Sequence, residues 1–85
     1  MNRVFLHKRV IKFLEKLDEK RKDSVLKVLK SLEKFPLIRA DIKKIGERTY
    51  RIRIGEIRVI FDYDKDRNAV FVKLIDFRGR VYKKI

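Results

Sequence analysis

The spacing of apolar residues changes once along this chain, and the change limits the folds that it can adopt. From residue 8 to residue 35 apolar residues recur at helical spacing, whereas from residue 49 they alternate with polar ones. Pro36 and Gly46 lie in the segment between. Helical spacing buries one face of a helix, and alternation buries one face of a strand. The order predicts an α+β fold, in which an antiparallel two-helix hairpin packs on one face of a small, mainly antiparallel β-sheet.

Two helices are predicted before Pro36. The first covers residues 8–17 and the second residues 19–35, and in each the apolar side chains recur at helical spacing. They are Val10, Phe13, Leu14 and Leu17 in the first helix, and Val25, Val28, Leu29, Leu32 and Phe35 in the second. Asp18 is the expected N-cap of the second helix, and Pro36 is expected to end it. Residues 3–6 are predicted to form a short strand before the helices.

The second half of the chain predicts a meander of strands. Residues 49–54 and 57–63 flank Gly55-Glu56, a two-residue hairpin turn of the type with Gly first. Residues 64–68 form a polar turn, residues 69–77 a long strand, and residues 80–83 a short final strand. With 85 residues, the chain is expected to form one domain over its whole length, 1–85.

Strand parity separates the two faces of the first hairpin. A turn at Gly55-Glu56 sets Arg53 opposite Arg58 and Arg51 opposite Ile60. The apolar side chains then share the other face, under the helices: Tyr50, Ile52, Ile54, Ile57, Val59, Phe61 and Tyr63. We call the face that carries Arg51, Arg53 and Arg58 the arginine face.

The register of the second hairpin is predicted from its five-residue turn. Pairing residue 63 with residue 69 would add four further residues to the arginine face: Val72, Leu74, Asp76 and Arg78. The same register sends Lys73 to the helix side, at a solvated rim.

Charge and composition indicate the kind of partner. Lys and Arg number 25 against 12 Asp and Glu, a net charge of +13, and both halves of the chain share the excess. Such a surface favours a polyanion as partner, nucleic acid first, although a Lys-rich heat-adapted surface is an alternative.

The absence of cysteine excludes disulfides and cysteine-ligated zinc. No apolar run is long enough to span a membrane, and residues 1–8 do not resemble a secretory signal, so we expect a cytosolic protein.

The facing arginines suggest an anion site. Like charges directly across two strands are destabilising, and the guanidinium fork suits a phosphate. The alternative is a basic surface relieved by Asp76 or Glu56. The only histidine, His7, is expected at a helix start, as a cap or a surface residue.

The sequence offers no evident catalytic group other than these cations. Three aspartates lie in or just before the polar turn: Asp62, Asp64 and Asp66. They lack the Gly and Glu of a calcium loop, so no metal site is predicted. RNA would avoid the need for a metal or a protein nucleophile, because its 2′-hydroxyl can attack the adjacent phosphate. Tyr82 is the candidate for stacking a base, or else packs at the edge of the sheet.

In order and spacing, the chain resembles the RelE/ParE toxin superfamily over essentially its whole length. The similar segments are Lys16-Leu17-Asp18, Phe35-Pro36, the stretch from Tyr50 to Phe61, and Phe77-Arg78-Gly79-Arg80-Val81-Tyr82. The chain departs from the pattern in carrying Arg51 and Arg53 where some members have Lys, Phe61 where many have Tyr, and Phe77 where some have His. It ends three residues after Tyr82, so no further C-terminal helix is expected.

The resemblance implies a toxin that cuts mRNA in the ribosomal A site without a metal or cofactor. It implies five catalytic positions: Arg51, Arg53, Arg58, Arg78 and Tyr82. The implied partners are the ribosome with its mRNA and an acidic antitoxin, and no membrane. Six exposed lysines are candidates for contacting ribosomal RNA: Lys12, Lys16, Lys27, Lys30, Lys43 and Lys44. The alternatives are a ParE-like inhibitor of DNA gyrase and a non-catalytic basic nucleic-acid-binding domain.

Overall fold

The computed structural model describes residues 1–85 as five strands and three helices. In chain order they are β1 (Arg3–Leu6), α1 (Lys8–Lys16), α2 (Glu19–Ser31), β2 (Asp41–Lys44), β3 (Thr49–Ile54), β4 (Ile57–Asp64), β5 (Ala69–Phe77) and α3 (Arg78–Val81). The strands form one sheet in the order β1-β5-β4-β3-β2. Only β1 and β5 are parallel. The predicted α+β architecture is confirmed.

Side-chain caps start α1 and α2 where the sequence predicts. The Nδ1 atom of His7 accepts a hydrogen bond from the Arg9 N–H at 3.1 Å, and the Asp18 carboxylate accepts one from the Arg21 N–H at 3.1 Å. Each bond satisfies one of the backbone donors left free at a helix start. His7 is therefore the capping residue that the sequence suggested.

The second helix is shorter than predicted. α2 ends at Ser31, and a 3-10 turn, Leu32–Lys34, continues it, so the prediction of one helix to residue 35 is wrong at this end. The buried amide of Asn2 donates to the Leu32 carbonyl at 3.1 Å and to the Phe35 carbonyl at 2.8 Å. These bonds satisfy two carbonyls at the end of the helix, and nothing in the local spacing signals them.

The main core lies between the two long helices and the sheet. Phe35 packs edge-on against Tyr50, Phe61 and Tyr63, with ring centroids 4.9, 5.1 and 4.9 Å away. Thirteen buried residues form this core: Val10, Leu14, Val25, Leu29, Leu32, Phe35, Ile52, Ile57, Val59, Phe61, Val70, Val72 and Ile75. The apolar side of the first hairpin therefore faces the helices, as predicted.

The first hairpin has the predicted register. Arg53 pairs with Arg58, and Arg51 pairs with Ile60. Gly55 adopts φ 59° at the first turn position, a conformation that residues with a Cβ rarely adopt. This hairpin has only one possible register, because each strand must turn its apolar residues to the core and the turn must contain the glycine.

The predicted register of the second hairpin is wrong by one residue at the turn, where Tyr63 pairs with Val70 rather than with residue 69, and a bulge in β5 shifts the register by one more. Ile60 pairs with Leu74, but the next residue of β4, Phe61, pairs with Val72, so Lys73 is the extra residue. Val72 is consequently buried in the main core rather than placed on the arginine face. Lys73 lies on the other side of the sheet from that prediction, with its Nζ 3.1 Å from the Oδ1 of Asp62.

The C-terminal residues form a helical turn rather than the predicted final strand. Val81, in α3, is fully buried and packs with Ile60 and Leu74, which both lie on the arginine face. The predicted strand at 80–83 is wrong because the chain end packs over the apolar patch of Ile60 and Leu74 and does not add a strand to an edge of the sheet. Leu74 is on the predicted face, whereas Arg78 is not on a strand at all.

The strand β2 is not predicted by any pattern in the sequence. Its four residues, Asp41-Ile42-Lys43-Lys44, contain one apolar side chain and show no alternation. The strand exists because β3 offers it a free edge, with Asp41 opposite Arg53 and Lys43 opposite Arg51. No helix of the structure is both long enough and apolar enough to cross a membrane.

Candidate anion-binding site

A row of four charged residues crosses the arginine face. Asp41 on β2 pairs with Arg53 on β3, Arg53 with Arg58 on β4, and Arg58 with Asp76 on β5. The two like charges in the middle are therefore flanked by a carboxylate on each side. Asp76 was anticipated as a neighbour, but Asp41 was not, since its strand had no signal in the sequence.

Arg51 and Arg53 share Asp41 but differ in exposure. Arg51 is buried, and its Nη2 lies 3.5 Å from the Oδ1 of Asp41. Its Nε has no hydrogen-bond partner within the chain. The Arg53 side chain is 52% exposed, with its Nη1 3.9 Å from the other oxygen of Asp41. Arg53 can therefore meet a ligand directly, whereas Arg51 adds a fixed positive charge beneath the surface.

Arg58 is held in place by the backbone of the hairpin turn. Its Nη1 donates to the Gly55 carbonyl at 2.7 Å and to the Ile57 carbonyl at 3.0 Å. A guanidinium has five N–H donors, so the Nη2 and Nε donors remain for another acceptor. One nitrogen thus orients the group while the others can bind an anion.

Arg78 lies beside the same turn. It is the first residue of α3, and its backbone N–H donates to the Glu56 carbonyl at 2.8 Å. Its Nε lies 3.1 Å from the Oε2 of Glu56, and both side chains are largely exposed. The structure therefore brings Arg58 and Arg78 to the two residues of one turn, although Arg78 arrives from a helix.

Tyr82 follows α3 and is 51% exposed. Its helical turn is fixed by Val81, which is buried against the arginine face. A half-exposed ring near this face has the surface that stacking a base requires. Tyr82 is not packed away in the core.

The sequence does not predict the ion pair at the end of the row, between the buried Asp76 and the half-exposed Lys84. Asp76 is 4% exposed and accepts hydrogen bonds from the Lys84 Nζ at 2.6 Å and from the Phe77 N–H at 2.8 Å. Burial by itself raises the pKa of Asp76, but these bonds and the positive charges of Lys84 and Arg80 outweigh it and lower the pKa below its usual value. Asp76 is therefore ionised, and it binds the chain end to the sheet.

The six candidate lysines lie in three separate places. Lys12 and Lys16 on α1 line a groove together with residues of the C-terminal segment. Lys27 and Lys30 are exposed on α2, and Lys43 and Lys44 are exposed on the edge strand β2. The structure brings together no group of three or more His, Asp or Glu side chains that could hold a metal ion.

The fold has clear counterparts among solved structures, although no family model and no curated protein matches the sequence. The archaeal RelE from the RelE–RelB complex of Pyrococcus horikoshii is 29% identical, with a TM-score of 0.83 over 94% of this chain and 98% of the other.

Two further neighbours are more distant in sequence. The RelB–RelE antitoxin–toxin complex of Methanococcus jannaschii matches at 18% identity and a TM-score of 0.78, covering 95% of this chain and 98% of the other. The isolated RelE toxin of E. coli matches at 20% identity and a TM-score of 0.74, over 99% of this chain and 94% of the other. Neither chain has a substantial part that this one lacks. Full-length agreement in fold, together with the 29% identity to the Pyrococcus protein, supports assignment of the chain to the RelE-like superfamily of toxins from toxin–antitoxin systems.

Proposed function

We propose that this toxin is an endoribonuclease that cuts mRNA on the ribosome without a metal ion. The observation that carries the proposal is the pair Arg53 and Arg58, placed side by side on a rigid sheet with donors free for a phosphate. The proposal fits the RelE toxins that the chain resembles in fold. A ribosomal target would place the protein in the cytoplasm.

The chemistry that this site supports is transesterification within the RNA. The 2′-hydroxyl attacks the adjacent phosphorus, a 2′,3′-cyclic phosphate forms, and the bond to the 5′-oxygen breaks. One proton leaves the 2′-oxygen and one arrives at the 5′-oxygen, so no other reactant is consumed. The protein must hold the strand in line and offset the charge that develops on phosphorus.

Each of the five predicted catalytic residues has a role in this scheme. Arg53 and Arg58 would bind the phosphate oxygens, and the buried Arg51 would add charge beneath them. Arg78 would bind a neighbouring phosphate at the turn. Arginine does not lose its proton in proteins, so proton transfer would fall to the hydroxyl of Tyr82.

Primer extension on programmed ribosomes tests the proposal. We expect toxin that has been stripped of metal with EDTA, and then added to ribosomes in their usual Mg²⁺, to cut ribosome-bound mRNA, and we expect cutting to stop when the 2′-hydroxyl at the cut site is replaced by hydrogen. Cleavage at the 2′-deoxy site would overturn the mechanism, and so would loss of activity in the stripped toxin that a transition metal restores. A DNA-damage response in cells, with translation continuing, would instead identify the alternative target, DNA gyrase.

We also propose an acidic antitoxin as the protein partner. Two of the similar structures are complexes of RelE with RelB, and this chain carries a net charge of +13. Opposite charge speeds association and orients the partners. We expect the chain and the product of a neighbouring reading frame to elute as one species at ordinary salt, with the arginine face covered. Two separate species would contradict this.

A further inference from the structure

A second positively charged site lies beside the arginine face, in a groove between α1 and the C-terminal segment. The groove has a volume of about 350 Å³, and residues of β5 form its floor. Its cations come from two directions: Arg9, Lys12 and Lys16 from α1, and Arg80 and Lys84 from the chain end. We call it the α1–α3 groove.

The charge in this groove is largely unneutralised. Its single carboxylate, Asp76, is already bonded to Lys84. The ion pairs of the structure involve none of the other four cations. Cations gathered around a concave site without acidic partners repel one another, and an anion between them would relieve that repulsion.

The groove adjoins the arginine face at the free edge of β5. β1 pairs with β5 only as far as Val72, so the edge from Lys73 to Phe77 has no neighbouring strand. Asp76, in the floor of the groove, is the residue opposite Arg58 in the sheet. A chain bound across Arg53 and Arg58 can therefore pass over β5 and enter the groove.

The spacing of the α1 cations suits a repeating anion. Lys12 and Lys16 are four residues apart on one helix face, a rise of about 6 Å. That separation is comparable to the spacing of successive phosphates in a single strand. Phe13 and Phe77 add apolar surface to the walls, and the Arg80 guanidinium lies 6.0 Å from the Phe77 ring centre.

We propose that the α1–α3 groove binds the backbone of single-stranded RNA, next to the phosphate held on the arginine face. The inference rests on the proposed function, since it extends the path of the same RNA strand. RNA is favoured over an acidic peptide because the groove adjoins the arginine face at β5 and the separation of Lys12 and Lys16 matches that of successive phosphates. It also divides the candidate lysines: Lys12 and Lys16 bind substrate, whereas Lys27 and Lys30 on α2 do not.

Two double variants with the same change in charge test the groove. Lys12→Gln with Lys16→Gln removes two cations from it, and Lys27→Gln with Lys30→Gln removes two from α2. The probe is a short oligouridylate with 2′-O-methyl groups, which cannot be cut, and its affinity is measured over a series of salt concentrations. Circular dichroism confirms that each variant is folded, as expected for exposed residues.

We expect only the groove variant to lose affinity and salt dependence. Each phosphate contact to a single strand contributes about 0.7 to the steepness of the plot of log K against log salt concentration. The loss of two contacts should therefore make the plot shallower by about 1.4. Equal losses in both variants would show that overall charge alone matters and would overturn the proposal, as would no binding by the wild-type chain. An equal loss of affinity for an oligoglutamate of matched charge would also overturn it, because the groove would then be a general anion site.

The proposed function fails separately from this inference. If the groove variant still binds the oligouridylate as the α2 variant does, while the wild-type chain cuts mRNA on ribosomes, only the groove is wrong. If the wild-type chain does not cut ribosome-bound mRNA, the proposed function is wrong, whatever the groove binds.

Discussion

Replacing Arg58 with alanine should separate catalysis from stability. The guanidinium is the best-anchored cation of the arginine face, with its Nη1 bonded to two carbonyls at 2.7 and 3.0 Å. Removing one preorganised donor from a transition state typically slows a reaction about a hundredfold or more. We therefore expect Arg58→Ala to lower the rate of cleavage on programmed ribosomes by at least about that factor.

The effect on folding should be much smaller. The variant loses two hydrogen bonds, each contributing about 1 kcal/mol, at a half-exposed position. It also relieves the repulsion from Arg53 directly opposite, which offsets about 0.2–1 kcal/mol. The net loss of about 1–1.8 kcal/mol would lower the melting temperature by about 4–14 °C.

Three further variants act as controls. Arg53→Ala relieves the same repulsion without losing the turn contacts, so its melting temperature should stay near that of the wild type. Arg67→Ala makes the same charge change on the β4–β5 turn and should cut at the wild-type rate. Arg58→Lys should restore only part of the rate, since a point charge replaces a two-pronged donor. Cleavage by Arg58→Ala at the wild-type rate would refute the reasoning.

Four other substitutions test particular contacts. Tyr82→Phe should slow cleavage about a hundredfold if its hydroxyl moves a proton; an unchanged rate would leave the ring only a stacking role. The pKa of Asp76 is lower in the folded protein than in the unfolded chain, so the charged carboxylate stabilises the fold. This stabilisation is fully present above the usual aspartate pKa of about 3.9 and is lost as the pH falls through the folded-state pKa. Asp76→Asn should therefore lower the melting temperature near neutral pH, with the difference shrinking in acid; a difference independent of pH would contradict this. Val81→Ala removes two buried carbons and should lower the free energy of unfolding by about 1.6 kcal/mol in urea titrations, whereas no loss would mean that α3 does not pack on the sheet. Asn2→Ala leaves the Phe35 carbonyl without its amide partner and removes one of the two donors to the Leu32 carbonyl, so it should cost about 1–3 kcal/mol in the same assay; a neutral effect would show that water replaces the amide.

Much of the fold and part of the site could be predicted from the sequence, because their causes are local. Helical spacing with the caps His7 and Asp18 predicted the start of each long helix correctly. Alternation around a glycine turn was enough to predict that Arg53 lies opposite Arg58. These features depend on residues close together in the chain, which sequence patterns record directly.

Other features of the site could not be predicted, because they depend on segments far apart in the chain. The turn of the second hairpin is one residue shorter than predicted, which places Val72 in the core, and the bulge at Lys73 then returns Leu74 and Asp76 to the arginine face. No local pattern signals either the exact turn length or an extra residue in a long apolar strand. Asp41 reached the arginines only because β3 offered an edge to a strand with one apolar residue.

The sequence by itself determined the two-helix hairpin, the first strand pair and the clustering of arginines on one face. Only the tertiary structure decided how open that face is. Ile60 and Leu74 lie on it, and their apolar surface is buried by Val81, which forces the chain end into a helical turn across the sheet. That turn brings Lys84 to Asp76 and encloses the α1–α3 groove. The physical reason is that burial of apolar surface is non-directional, so the segment that covers an exposed patch is decided by the assembled fold and not by the local sequence.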